Sequence, residues 1–288
     1  MIVGIGQDYW SVSNYSAVFG LPDVVMSYTS LRNLSGLFEP INYGSGREYA
    51  GATYGDLGKP HTIQLGLWLV GDLEAVIAGA LDARIEELAS FCRQTRVYLR
   101  IGYECDNPEN SYEPELFKTA YRRIAEKVDA ETVFHAYGFG FERFWPGDDV
   151  VDWCGVSLFR QPFDSFGPAQ AVADFCKGKN LMIAESTPFG IGLTAPRASI
   201  LNTWFLPVLD FVEAYDVKLW CYINCDWDAQ PMWQGQGWGD TRIETDPRLS
   251  AFWANHVLPH PSLNPRSHLW LYFFVFILLS LACFSSAR

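Results

Sequence analysis

The feature that most restricts this chain is a repeated alternation of a short β-branched or apolar run, a polar loop, and a segment with helical spacing. Eight strand candidates occur: Ile2–Asp8, Val24–Tyr28, Thr62–Leu69, Val97–Gly102, Thr132–Tyr137, Cys154–Phe159, Leu181–Glu185 and Val217–Asn224. Helical spacing is clearest after the fourth, where Phe117, Tyr121, Ile124 and Val128 recur at intervals of four, three and four. Pro114 opens that helix, at the position where its missing N–H costs nothing. Comparable faces are formed by Leu81, Ile85, Leu88 and Cys92, by Ile200, Trp204, Val208 and Phe211, and by Leu249, Phe252 and Trp253. Strands alternating with helices belong to parallel sheets with crossover connections rather than to sandwiches. Eight βα units in roughly 260 residues predict a (β/α)8 TIM barrel, an α/β fold whose functional residues gather at the C-terminal ends of the strands. A doubly wound open sheet is the alternative, but the first strand runs into Gln7-Asp8-Tyr9-Trp10 and not into a glycine-rich phosphate loop. Gly44-Ser45-Gly46-Arg47 and Gly235-Gln236-Gly237-Trp238-Gly239 also lack the Lys and the strand–loop–helix setting of a P-loop, and read as active-site or surface loops.

Strand ends are therefore where chemistry is sought. Glu104 directly follows the fourth strand and Glu185 ends the seventh, each after an apolar run. The bland reading of a strand-end glutamate is a surface or helix-capping acid. Two on opposite sides of one barrel mouth are instead what glycosidic cleavage uses: one acid protonates the leaving oxygen, and the other attacks the anomeric carbon or activates water. The acid must be kept protonated by burial or a neighbouring negative charge, while the other carboxylate must stay ionised. Arg100 lies four residues before Glu104, and strand alternation points it into the mouth as a partner for a carboxylate or as a structural ion pair.

Composition sharpens the substrate class. The 288 residues carry a net charge of −12 without any basic run, which argues against nucleic acid. Aromatic residues make up 16% of the chain, and five of its 11 tryptophans lie between residues 220 and 253. Trp220 and Trp253 read as core. The loop tryptophans, Trp227 foremost, are flanked by Asp226, Asp228, Gln234 and Gln236 and read as stacking faces for pyranose rings, with Asn224 beside them. Asp8, Trp68, Tyr103 and Tyr137, near other strand ends, complete the candidate substrate-binding set.

The segments VYLRIGYECDNP, FWPGDDVVDWCGVSLF, NLMIAESTPFG and KLWCYINCDW together resemble the barrel core of the retaining glycoside hydrolases of clan A. The Arg–x–x–x–Glu of the fourth strand and the early Gly6-Gln7-Asp8 are most similar to family 26, the β-mannanases and their relatives, and the likeness covers most of residues 2–256. It implies that Glu104 is the acid/base and Glu185 the nucleophile of a double displacement on a β-mannan-like or related β-glycan, with no metal or organic cofactor. Tyr103 stands where typical family 26 members carry His. A catalytically inactive barrel that binds polysaccharide through its aromatic cleft is the rival reading.

The last part of the chain reads separately. Residues 1–258 complete the barrel; residues 259–268, with Pro259, Pro261 and Pro265, form a spacer; and residues 269–287 are uncharged and ~28 Å long as a helix, enough to cross a bilayer or to serve as an anchor signal. A hydrophobic tail helix, membrane anchoring and an extracellular or cell-surface location are expected, although no signal peptide precedes Ile2. A monomer is favoured. The seven cysteines show no metal-ligand spacing and read as mostly buried thiols, and the sequons Asn14-Tyr15-Ser16 and Asn33-Leu34-Ser35 would suit secretion.

Overall fold

The computed structural model describes residues 1–48, 62–159, 166–190 and 197–258. Eight parallel strands form a closed barrel: β1 (Ile2–Gly6), β2 (Val24–Ser30), β3 (Thr62–Trp68), β4 (Val97–Ile101), β5 (Glu131–Ala136), β6 (Trp153–Leu158), β7 (Asn180–Ser186) and β8 (Leu219–Ile223). Each pairs with its sequence neighbours, and β1 closes on β8 from Ile2 opposite Leu219 to Gly6 opposite Ile223. All eight strands expected from the sequence are present.

Two apolar shells follow from strand alternation. Inward residues, among them Val24, Met26, Tyr98, Val133, Trp153, Met182 and Leu219, fill the lumen, so the barrel is packed rather than porous. Outward residues such as Ile5, Leu65, Leu99, Phe134 and Ile183 meet the helices. After β4 the helix Pro114–Ala125 buries Phe117, Ala120, Tyr121 and Ile124 on one face; its first turn is capped by the Glu113 side chain, which accepts from the Leu116 N–H. Val128 falls just beyond this helix. Trp204, Trp220 and Trp253, all fully buried, pack against one another between the barrel wall and the last helices, as the core reading of Trp220 and Trp253 requires.

The crossovers are less regular than eight βα units. β2 is followed by turns and a small antiparallel ribbon, Ile41–Asn42 with Arg47–Glu48, and no helix occurs among the described residues before β3. Between β5 and β6 only 3₁₀ turns, Phe141–Phe144 and Asp148–Val150, cover the barrel. Gly140 and Gly147 sit at φ 71° and 118° with Pro146 between them, and this backbone cannot continue an α-helix.

Most of the described cysteines are buried thiols, as expected, and two are bridged. Cys154 on β6 is disulfide-bonded to Cys176, 22 residues on, while Cys92, Cys105, Cys221 and Cys225 are buried thiols. The bridge ties β6 to the end of the helix Gly167–Phe175, and a loop of this length stabilises by roughly 3 kcal/mol in the chain-entropy account. No helix among the described residues is long and apolar enough to cross a membrane. The spacer and the hydrophobic tail, residues 259–287, lie outside the described residues.

Candidate active site

The C-terminal ends of β4 and β7 supply the two carboxylates. Arg100 occupies an inward position of β4 and is fully buried. Gly66 on the adjacent β3 makes room for it, because a Cβ there would stand 2.8 Å from Arg100 Nη2 and 2.7 Å from the Tyr28 ring. After Ile101 the chain turns sharply, with Gly102 at φ 59° and Glu104 at φ 50°, a left-handed conformation that glutamate adopts only when its surroundings enforce it. Those surroundings are visible. The Cys105 N–H donates to the His135 carbonyl, and the buried Asn110 amide donates to the carbonyls of both Tyr103 and Glu104. Asp106 accepts from the N–H groups of Tyr137, Gly138 and Phe139 at 2.6, 2.7 and 2.5 Å, locking the loop after β5 onto the loop after β4.

Glu185 reaches the mouth by an irregularity in pairing. Val156 of β6 faces Ile183 of β7, but the next residue, Ser157, faces Glu185, so Ala184 is an extra residue in the ladder. Met182 and Ala184 both belong to the lumen cluster, and simple alternation would turn Glu185 outward. The bulge re-aims it inward. There Glu185, 8% exposed, forms an ion pair with Arg100 Nη1.

Arg100 is itself tightly framed. Its guanidinium lies 4.9 Å from the Tyr28 ring centre and 5.0 Å from that of Tyr103, and Nη1 also lies 3.2 Å from His135 Nδ1. Burial disfavours its charge, but the Glu185 carboxylate and the Tyr28 hydroxyl together more than offset this, and Arg100 is held more firmly protonated than a free arginine. Tyr103 meets Tyr28 edge-on at 5.5 Å and Trp68 at 5.7 Å, forming a half-buried aromatic wall beside the carboxylates.

Glu104 has the opposite environment. Its Oε1 accepts from the Ser157 hydroxyl at 2.7 Å and its Oε2 from the Asn107 amide at 3.0 Å. Burial, and next the charge of Glu185, push its pKa up to about 7, against the pull of those two hydrogen bonds. One carboxyl is thus poised to donate a proton near neutral pH, while its neighbour is paired with a guanidinium.

The structure brings Glu104, Glu185, Arg100, Tyr103 and Trp68 together, with Tyr137 on the neighbouring strand end. The rings of Tyr137 and the exposed Phe139 meet tilted at 5.5 Å and line a cavity of about 100 Å³ together with Ser157 and Phe159. Three other sequence candidates are committed elsewhere. Asp8 is the N-cap of the helix Tyr9–Phe19; its Oδ1 accepts from the Trp10 and Ser11 N–H groups and its Oδ2 from the Ser11 hydroxyl, which leaves little for a ligand. Asn224 is fully buried, bonded to Glu244, to the Ser11 carbonyl and to the Ile243 N–H, and it pins the loop after β8. Trp227 is 3% exposed, donates its indole N–H to Thr241 and lies stacked under Trp238 at 5.0 Å. Arg242 draws Asp226, the sequence neighbour of Trp227, and Asp240 into an ion cluster. The half-buried Trp238, against Phe159 and Phe189, holds the place on the rim that the sequence suggested for Trp227.

His135, Ser157, Tyr28, Asn107 and Asn110 are site residues that the sequence reading missed. A signal existed for two of them: His135 and Ser157 are polar residues at inward positions near the C-terminal ends of their strands.

Comparison with known proteins follows the same lines. No protein-family profile matches the chain. In sequence it is similar to a β-1,3-xylanase of an Alcaligenes species, 27% identical over 94% of the chain and 66% of that protein. It is also similar to a β-1,3-xylanase of a Vibrio species, 30% identical over 88% of the chain and 64% of that protein. The chain thus spans just under two thirds of the length of each. Among solved structures, the catalytic domain of a family 26 endo-β-1,4-mannanase from Bacillus sp. JAMB-750 superimposes with a TM-score of 0.60 at 14% identity, covering 88% of this chain and 86% of that one. At that identity the likeness establishes the barrel fold. The named relatives are thus β-1,3-xylanases in sequence and a family 26 mannanase in fold.

Proposed function

We propose that this chain is a retaining glycoside hydrolase acting on a β-linked polysaccharide, with β-1,3-xylan as its substrate. The observation that carries the reading is the pair of unlike carboxylates at one mouth: Glu104, shifted to about 7, and Glu185, ion-paired with Arg100. Ser157 connects the two: it is the ladder partner of Glu185 and donates its hydroxyl to Glu104. The choice of xylan over mannan rests on the two β-1,3-xylanases, which share about twice the identity that the mannanase does.

In the first step Glu185 attacks the anomeric carbon as Glu104 gives its proton to the departing glycosidic oxygen. In the second, Glu104, now a carboxylate, takes a proton from water as that water releases the sugar from Glu185 with its original configuration. Tyr103 and Trp68 offer apolar faces for sugar rings beside the carboxylates.

The test is hydrolysis of β-1,3-xylan, β-1,4-xylan and β-1,4-mannan, with the first anomer released followed by proton NMR. The β-anomer of xylose oligomers should appear first, from β-1,3-xylan. Release of the α-anomer would mean inversion, and binding without turnover would favour the inactive carbohydrate-binding barrel.

A pH profile checks the acid. Free-enzyme kcat/KM needs Glu104 protonated, so it should fall above pH about 7, roughly tenfold per unit. A profile flat to pH 9 would remove Glu104 as the acid.

The location is read in the same way. The Cys154–Cys176 disulfide and the exposed Asn14 and Asn33 of the two sequons support an oxidising, extracytoplasmic setting. The apolar run 269–287 supports attachment to a membrane there. Removing residues 259–288 should release the protein from membranes and leave its melting temperature within about 2 °C, since the barrel closes within residues 1–258. Unfolding of the truncated protein would place the tail in the core instead.

A further inference from the structure

His135 and Ser157 stand between the two carboxylates, and neither is consumed by the double displacement. They complete an unbroken path of hydrogen bonds: Arg100 Nη1 to His135 Nδ1 at 3.2 Å, His135 Nε2 to Ser157 Oγ at 2.9 Å, and Ser157 Oγ to Glu104 Oε1 at 2.7 Å. At its far end Arg100 is bonded to Glu185.

The direction of this path is dictated by its first member. A guanidinium has donors and no acceptor, so His135 Nδ1 must accept. Burial, and then the nearby Arg100 charge, hold the His135 pKa well below the usual imidazole value, so the ring is neutral. A neutral ring that accepts at Nδ1 carries its hydrogen on Nε2 and donates it to Ser157. The single hydroxyl hydrogen of Ser157 is then left for Glu104 Oε1. The reverse polarity would put a ring N–H against the arginine N–H at 3.2 Å, two donors facing each other.

We propose that His135 and Ser157 are positioning residues: a one-way relay, oriented by Arg100, that keeps Glu104 Oε1 an acceptor and confines the acid proton to Oε2. This rests on Glu104 being the acid/base. Oε2 receives the Asn107 amide on one lone pair, and its other lone pair carries the proton that the leaving oxygen takes. The relay favours the carboxylate form of Glu104, opposing the effect of burial, so the residue returns to its basic form readily enough to activate water in the second step.

The titratable and charged groups around Glu104 are Glu185 from β7, Arg100 from β4, His135 from β5, Tyr28 from β2, and Tyr103, Cys105 and Asp106 of its own loop. Replacing Ser157 or the neutral His135 removes no charge from this set. A change in Glu104 ionisation in those variants therefore reports the relay.

The experiment is a carbon-13 NMR titration of the full chain labelled at glutamate Cδ, with the Glu104 signal assigned by its loss in Glu104→Gln. In the native protein the midpoint should lie near 7. Ser157→Ala should raise it by about one unit, the size of a lost hydrogen bond to a charged group. His135→Phe should raise it in the same direction, and Ser157→Thr, which keeps the hydroxyl, should restore the native value. A midpoint unmoved in Ser157→Ala, or moved downward, overturns the relay even if thermal stability falls. The readout needs no turnover. Native protein that cleaves no β-glycan while Ser157→Ala still shifts the midpoint would leave the relay standing and remove the hydrolase reading. Cleavage with an unmoved midpoint would do the reverse.

Discussion

Glu185→Ala is expected to lower kcat on polysaccharide by roughly 10⁴- to 10⁶-fold, the scale seen when a covalent catalyst loses its nucleophile. The reason lies in the two-step path: without the Glu185 carboxylate no glycosyl-enzyme forms, and water cannot easily take its place at a site shaped for a side chain. The small cavity left by the truncation should admit azide. With an aryl glycoside as substrate, whose leaving group needs little protonation, azide should restore turnover and give the α-glycosyl azide, an inverted product. Glu104→Ala should show the complementary pattern. Loss of general acid catalysis costs roughly 10²- to 10⁴-fold on substrates with poor leaving groups, and much less on activated ones, where azide should give the β-glycosyl azide. Kinetics on one polysaccharide and one aryl glycoside, with product configuration read by NMR, separate the two roles. Native-like turnover of polysaccharide by either variant would sink the assignment.

Arg100→Met is expected to damage stability and activity together. The guanidinium is fully buried, and it is the ion-pair partner of Glu185. Removing one member of a buried pair leaves the other desolvated without a counter-charge, at a cost of about 3–5 kcal/mol. For a domain of this size that is a fall of roughly 10 °C in melting temperature. The guanidinium is also what holds the Glu185 carboxylate in place for attack. Turnover should fall at least about 10²-fold. The two tyrosine faces at 4.9 and 5.0 Å lose their cation as well. Arg100→Lys should recover part of the stability but little of the rate, because an ammonium lacks the planar, delocalised group that lies 4.9 and 5.0 Å from the Tyr28 and Tyr103 rings and fixes Nη1 toward Glu185. Differential scanning calorimetry and steady-state kinetics on the same preparations would check both. A stable, fully active Arg100→Met would show that the ion pair is ornamental.

Much of the barrel was legible because it is governed by local pattern. Each strand is a short apolar run ended by a polar loop, and that pattern needs no knowledge of partners. Glu104 and Arg100 were legible for the same reason, being four residues apart around the end of one strand, where alternation and a turn place both at the mouth. The tryptophan-rich loop after β8 was misread because exposure is not local. Trp227 and Asn224 have polar neighbours in sequence, yet Thr241, Glu244 and Ile243, some 14 to 20 residues away, fold back and bury them. Asp8 was misplaced by a competing local use, since a strand-end aspartate before a helix satisfies two orphan N–H groups as its N-cap. The helix absent between β5 and β6 lay where Gly140, Pro146 and Gly147 already weakened the helical pattern.

What the sequence by itself determined is the fold class, the count and order of the strands, and the pair of carboxylates at the ends of the fourth and seventh. Periodicity is a property of consecutive residues, and parallel strands of this number have few ways to pair. What only the tertiary structure decided is how those carboxylates differ. The extra residue Ala184 in the β6–β7 ladder turns Glu185 inward against the alternation of its own strand. Burial and the Glu185 charge raise Glu104, while Arg100, His135 and Ser157, from three strands, meet to orient it. Register shifts, desolvation and hydrogen-bond polarity depend on atoms brought together from distant parts of the chain, so no window of sequence contains them.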